Sequence, residues 1–544
     1  MLRHVGITTA SVWVQTDRPG TVSVLGCEAR TFEVAGHHFA LVQVAGLPPG
    51  SRIPYQVHLD GEQVWPPPVS PFPPSTIPTR DPDQRRHRVV FGSCRYPKLA
   101  DARQARRLGI DALDAYAARM ARQPVEQWPD ALLLLGDQIY ADELTPRDQR
   151  RIAERVGRPP DWPATEIVGF DEFAGMYRDT WSDPEVRWLM STVPVAMIFD
   201  DHDVRDDWNT SAAWRATIAR KPWWRDRIRA ALASYWVFQH LGNLPPDELA
   251  GDTDYQRILA ADGDTWPLLA ELADRADAGV EKGPGVRFSF RWDLGRCRFV
   301  MIDTRNGRVL TATERKMLGE EEFSWVERQV TADGAVDHLL IGSSLPWLLP
   351  HAIHEAQAVN EAAARRPGWR GRFAEWLRQL GDLEHWAAFW ESFDRLTDLI
   401  ARAARGTGGH APASISVLSG DVHHSYAARA RLHGDPPAAV YQLTCSPVHQ
   451  RVPSPLRPLL RAGWAPGLHA LLRGLARRAG VPPPGVSWER IAGPMFGNMV
   501  ATLEIDDRSA RVTFERPRSA SSLAVAAQLT LSNGSEQNTS EEAT

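Results

Sequence analysis

At 544 residues the chain exceeds what one hydrophobic core sustains, so at least two domains are expected. Its 43% hydrophobic and 24% charged residues are ordinary for a globular protein, and no apolar run approaches the roughly 20 residues that span a bilayer. The net charge of −5, with both signs interspersed, offers no basic stripe, so neither nucleic acid nor an anionic membrane surface is an expected partner.

The first residues, MLRHVGITTASVWVQT, lack the apolar core of a signal peptide and already alternate like a strand, which makes the expected location cytoplasmic. Short alternating runs follow (Ser11–Gln15, Thr21–Val24, Thr31–Val34, Phe39–Val44, Tyr55–Leu59), with turns at Arg18-Pro19-Gly20 and Asp60-Gly61. They predict a small β-sandwich over residues 1–65. Residues 66–85 are so rich in proline that they read as a stiff linker without a regular ladder.

From residue 86 the apolar runs no longer alternate: Val89–Phe91, Ala131–Leu135, Val193–Phe199, Phe299–Ile302, Leu339–Ile341 and Ile415–Leu418. Such runs fit strands covered on both faces, hence a layered α/β domain over 86–517. A helix expected at about Arg107–Arg122 makes the first two strands a βαβ unit. Helical insertions are expected at about 205–285, 350–410 and 450–490, with tryptophans such as Trp208, Trp214, Trp223, Trp224, Trp236, Trp386 and Trp390 acting mainly as packing anchors. A hairpin, Met499–Ile505 with Arg511–Glu515, precedes a Ser/Ala/Gln/Glu tail, 518–544, expected to be disordered.

Four strands are followed at once by polar clusters: Gly92-Ser93-Cys94-Arg95, Gly136-Asp137-Gln138-Ile139-Tyr140-Ala141-Asp142, Asp200-Asp201-His202-Asp203 and Gly420-Asp421-Val422-His423-His424. In open α/β sheets ligands bind beyond the carboxyl ends of the strands, so these loops can converge. Together they supply carboxylates, imidazoles, a thiol and a phenol, a donor set that suits a pair of cations about 3.5–4 Å apart sharing an Asp. Cys27, Cys297 and Cys445 read as small buried hydrophobes, and no CxxC spacing points to structural zinc or a disulfide framework.

The motifs Gly-Ser-Cys, Gly-Asp-x-x-Tyr, Asp-Asp-His-Asp and Ser-Gly-Asp-Val-His resemble the alkaline phosphatase D (PhoD-like) branch of the calcineurin-like metallophosphoesterase superfamily over about 86–515. The resemblance implies a metallophosphoesterase β-sandwich flanked by helices (αββα), preceded by a small immunoglobulin-like domain. By position, Asp137 resembles the bridging carboxylate, and Cys94, Tyr140 and His423 resemble ligands of a first metal, expected to be Fe3+. Asp201 and Asp421 then hold a second, expected to be Ca2+, or Mg2+, Mn2+ or Zn2+. His202 is cast as proton donor, Asp203 as the group orienting its ring, and Arg95 as a phosphate clamp. Asp200, Asn209 and His424 are expected to support the ligands or touch substrate, while Asp206–Asn209 could instead cap the next helix. Many superfamily members place a metal-binding His in the loop matching Gly342–Trp347. This loop has none, so the second metal is held by carboxylates and water alone or receives His351 or His354.

The implied activity is hydrolysis of phosphate mono- or diesters by a metal-bridging hydroxide attacking phosphorus in line, with Ser93 dispensable as a nucleophile. Phosphodiesterase action on lipid or nucleotide headgroups is the nearest alternative, and a non-catalytic metal-bound scaffold or ligand sensor is the alternative from another class.

Overall fold

The computed structural model describes residues 1–533 apart from 100, 156, 283–284, 312–313, 333, 407–409, 451 and 453; residues 534–544 lie outside it. The N-terminal region is all β. One four-stranded sheet carries Leu2–Val5, Thr9–Thr16, His37–Ala45 and Phe32–Val34, and the other Cys27–Arg30, Thr21–Val24, Val57–Leu59 and Glu62–Trp65. The alternating runs turn Val12, Val22, Val42 and Val57 into a shared apolar core between the sheets.

Part of the proline-rich stretch does form a ladder, against the expectation: Thr76–Pro78 pairs antiparallel with Arg52–Pro54. Each proline stands at the end of its three-residue strand, so the missing N–H falls where the ladder stops. The expected helix 107–122 is likewise divided into Ala102–Leu108 and Ala112–Met120. Gly109, at φ +84°, ends the first, and Asp111 caps the second by accepting from the backbone N–H groups of Leu113 and Asp114.

Two larger sheets stack with helices outside them. The six-stranded one runs Val195–Ile198, Ala131–Leu135, Arg86–Gly92, Val500–Asp506, Ser509–Ser519 and Ser522–Ser532 in spatial order. Its neighbour runs Phe290–Leu294, Cys297–Ile302, His338–Ser343, Ser414–Ser419, Ala439–Thr444, Ser425–Leu432 and Val486–Met495. Arg86–Gly92, Ala131–Leu135 and Val195–Ile198 are parallel, as are Cys297–Ile302, His338–Ser343, Ser414–Ser419 and Ala439–Thr444. All these strands are wholly or almost wholly buried, which is why their sequences do not alternate. Their C-terminal ends carry the polar loops.

The expected disordered tail is corrected in part: Ser522–Ser532 is the edge strand of the first sheet, paired along Ser509–Ser519. Its small and apolar residues bury weakly one by one, yet Leu523, Ala527 and Leu529 lean on the core, Leu531 is buried, and Tyr441 Oη donates to the carbonyl of Leu531 at 2.7 Å.

The sandwich is seated firmly on the larger unit. Trp13 Nε1 donates to the carbonyl of Val237 at 2.9 Å, Tyr55 Oη to that of Ser191 at 2.6 Å, and the buried Arg3 guanidinium to the carbonyls of Phe238 and Gln239 and to Asn243 Oδ1. Val237–Gln239 belong to a turn of π-helix, Trp236–His240, which continues the helix Trp224–Tyr235.

Candidate metal centre

The four loops converge. Backbone N–H groups of Cys94 and Arg95 donate to the carbonyls of Gly136 and Asp137 at 3.2 and 3.0 Å, and Ala141 N donates to the carbonyl of His202 at 2.9 Å. Cys94, Asp137, Asp421 and His423 all adopt left-handed backbone, with φ between +49° and +64°. Such conformations cost a non-glycine residue on the order of 1 kcal/mol or more each and persist where surrounding packing holds them. Gly136, at φ +114°, leaves room that a Cβ would lose, 2.8 Å from the Cβ of Asp200. Gly420 lies directly over the Ser93 side chain, so Gly420→Ala is expected to displace the Asp421–His423 loop and lower both thermal stability and metal content, measured by thermal unfolding and elemental analysis.

Cys94 Sγ, a carboxylate oxygen of Asp137 and a ring nitrogen of His423 lie within 4.8 Å of one another, and carboxylate oxygens of Asp137, Asp200 and Asp201 do the same. Asp137 is common to both groups. Asp137 Oδ1, the Tyr140 hydroxyl and Asp200 Oδ2 are buried without a hydrogen-bond partner, an arrangement costly to leave uncompensated. Burial, then the charges of Asp137 and Asp421, push the Cys94 thiol up. Burial and the neighbouring carboxylates Asp200, Asp201 and Asp203 raise Asp137, against the pull of His202. His423 is lowered to about 4, chiefly by burial, which leaves it neutral and able to ligate. The donor set therefore fits cations on both sides of Asp137.

Asp421 stands slightly apart from the carboxylate group. Its Oδ2 meets His385 Nε2 at 2.8 Å, and its Oδ1 lies 3.8 Å from Arg305 Nη2. Burial alone would raise its pKa, but the His385 bond and the Arg305 charge leave it lowered. Asp201 and Asp421 both face Arg305 Nη2, while the tighter carboxylate group is Asp137, Asp200 and Asp201. His385, oriented through Nδ1 by the Gln357 side-chain amide at 2.8 Å, is the histidine that reaches this side. His351 and His354 do not: His351 bonds the carbonyl of Trp488 at 2.9 Å, and His354 packs against Phe393 and Trp488.

Arg305 is the other residue that the motifs do not announce. Fully buried, it bonds Asp200 through Nε and Glu384 through Nη1 at 2.6 Å, with Nη2 3.1 Å from Asp201. One guanidinium thus faces four carboxylates, and Arg308 adds a second cation on Glu384 at 3.1 Å. Arg305→Met is expected to strip charge compensation from this cluster and destabilise the metal-free protein by about 3–5 kcal/mol, read as a drop in unfolding temperature that added divalent cation reverses in part.

Three expected roles change. Arg95 turns away from the centre: Nε bonds Asp111 at 2.8 Å and Nη1 the carbonyl of Thr180 at 2.8 Å, because the residue after Cys94 points across the loop into the helix Ala112–Met120 cap. Asp203 does not orient His202. It accepts from the backbone N–H groups of Gln138, Ile139 and Asp200 at 3.1, 3.2 and 2.9 Å and so ties two loops together, helped by Gln239 Nε2 at 3.3 Å. His202 Nδ1 instead meets Asp142 at 3.0 Å. Asn209 bonds the carbonyl of Arg305 and receives Arg215, so it steadies the Arg305 loop; Ser211 caps the next helix. His424 donates from Nδ1 to the carbonyl of Val422 and stacks on Tyr426 and Phe496.

Two sequence families match parts of the chain, and two solved structures share its fold. Residues 1–77 match a domain of unknown function (DUF7800), and residues 112–459 match the PhoD-like phosphatase family. No curated protein matches. The fold is similar to that of a structure titled "Structure of PhoD", 12% identical at a TM-score of 0.56, covering 99% of this chain and 92% of that one. It is also similar to that of a purple acid phosphatase isolated from yellow lupin (Lupinus luteus) seeds, 12% identical at a TM-score of 0.50, covering 98% and 73%. With the family match extending over more than half of the sequence and over all but the first of the four loops, the chain belongs to the PhoD-like phosphatase family.

Proposed function

We propose that this phosphoesterase is a metal-dependent hydrolase of phosphate mono- or diesters. The observation that carries the reading is Asp137 shared between a Cys94–His423 group and an Asp200–Asp201 group. Cations bound there would lower the pKa of a water and neutralise phosphate oxygens. Cys94 with the Tyr140 phenol suits Fe3+, and the carboxylate side suits Ca2+, Mg2+ or Mn2+.

The chain's own residues supply the proton. Burial disfavours a charged His202, but Asp142, which also bonds its ring, Asp201 and Asp137 outweigh it and raise its pKa, which favours the protonated ring. Asp142 is lowered to about 2: burial opposes this, and His202 and Arg227 override it. Asp142 therefore stays ionised, fixes Nδ1–H and leaves Nε2–H free to protonate a leaving oxygen. Tyr140, with its ring centroid 4.6 Å from that of His202, packs the imidazole on the metal side. The Ser93 hydroxyl contacts Cys94 Sγ and the carbonyl of Cys445 and no imidazole or carboxylate among the described residues, which supports its being dispensable as a nucleophile.

The test is turnover of an aryl phosphate and an aryl phosphodiester before and after chelation, with elemental analysis of the same sample. Chelator-sensitive hydrolysis of either supports the reading; a metal-bearing protein inert toward both would favour the scaffold alternative.

A further inference from the structure

We propose that this protein docks peripherally on anionic lipid bilayers through the helices Trp369–Leu380, Arg457–Ala462 and Pro466–Ala479. The first of these helices is turned inside out. Gly371, Ala374 and Arg378 form its buried face against the helix His351–Ala364, with Asn360 Nδ2 bonding the carbonyl of Ala374 at 2.8 Å and Arg378 paired to Glu361. The opposite stripe, at i, i+4, i+7, i+8 and i+11, is Trp369, Phe373, Trp376, Leu377 and Leu380, exposed by 67, 53, 55, 37 and 65%. A second apolar patch lies on the chain that packs against the same supporting helix through Ala476 and Ala358, where Leu456, Leu459, Leu471 and Leu475 are exposed by 48, 62, 61 and 40%. Helix Pro466–Ala479 buries only Ala476 fully and is tied to the supporting helix by Arg473 and Glu355. Apolar surface of this extent on a water-soluble face marks an interaction site.

Charge identifies the occupant. Between Asp435 and Glu489 the sequence has no acidic residue, while arginines stand at 451, 457, 461, 473, 477 and 478. Arg366 in the turn before the first helix and Arg370 and Arg372 on it are exposed and have no carboxylate partner among the described residues, and Arg370 lies over the Trp369 ring at 5.5 Å. Other exposed arginines, such as Arg257 with Glu271 and Arg395 with Glu320, do stand in ion pairs. Tryptophan, phenylalanine and leucine beside unpaired arginines match the interfacial layer of an anionic bilayer, where rings settle at the headgroups and guanidinium groups meet lipid phosphate. Among the described residues no helix is long and apolar enough to cross a membrane. Signs interspersed over the whole chain are segregated between Asp435 and Glu489.

The patch adjoins the metal centre on both flanks. The chain leaving Trp369–Leu380 leads within five residues to Glu384 and His385, and Arg461 lies 4.9 Å from the Phe496 ring, which stacks on His424. Docking would hold the centre at the headgroup layer. The proposal does not depend on the phosphoesterase mechanism.

Flotation of the full chain with vesicles tests it. Binding is expected to equimolar phosphatidylcholine and phosphatidylglycerol, to weaken at least about 10-fold on pure phosphatidylcholine, and to weaken similarly in Trp369→Ser/Trp376→Ser and in Arg366→Glu/Arg370→Glu/Arg372→Glu. These positions are exposed, so unchanged unfolding temperatures should certify the fold. No binding to anionic vesicles, or undiminished binding by both variants, overturns the proposal. So does sedimentation showing a dimer that Trp369→Ser/Trp376→Ser abolishes, which would assign the patch to a second copy.

Discussion

Asp137→Asn is expected to empty both donor groups and to reduce turnover by at least about 10³-fold, because one carboxylate serves the two sides. The same change removes a charge from a buried set in which Asp200, Asp201 and Asp203 all oppose its ionisation. The metal-free variant should consequently unfold at a temperature equal to or above that of the metal-free parent. Loss of metal without loss of apo stability separates a ligand from a merely structural aspartate. Retained metal with full turnover would sink the shared-ligand reading.

His202→Ala is expected to leave the metal content unchanged and to slow hydrolysis of an alkyl phosphate ester by about 10²- to 10⁴-fold. A 4-nitrophenyl ester, whose leaving group needs no proton, should be slowed far less. Asp142→Asn should show the same dependence on the leaving group with a smaller loss, since the ring remains but its Nδ1 partner no longer holds it as the cation. Equal losses on both esters would refute proton donation and assign His202 to transition-state charge stabilisation.

Much of the centre was legible because parallel strands deliver their loops to one edge. Cys94, Asp137, Asp201 and His423 each stand within five residues of a buried apolar run, and the run marks the strand end. Arg305 had the same signature: Asp303–Arg308 is a polar cluster directly after Cys297–Ile302, although it resembles no ligand motif. His385 and Glu384 had no such marker. They arrive from a helical insertion, where neither strand register nor spacing says which residue faces the sheets. The reassignments of Arg95 and Asp203 have one cause, since motif adjacency fixes position along the chain but not side-chain direction. The edge strand Ser522–Ser532 was hidden by composition, because its small residues gain their place from backbone pairing.

The seating of the N-terminal sandwich has a consequence for catalysis by a protein of this build. Arg3 grips the carbonyl of Gln239, whose side chain supports Asp203, and Asp203 in turn pins the loops bearing Asp137 and Asp201. The sandwich is thus a buttress for the reaction chamber. Cutting it away would loosen the metal ligands from behind while touching none of them.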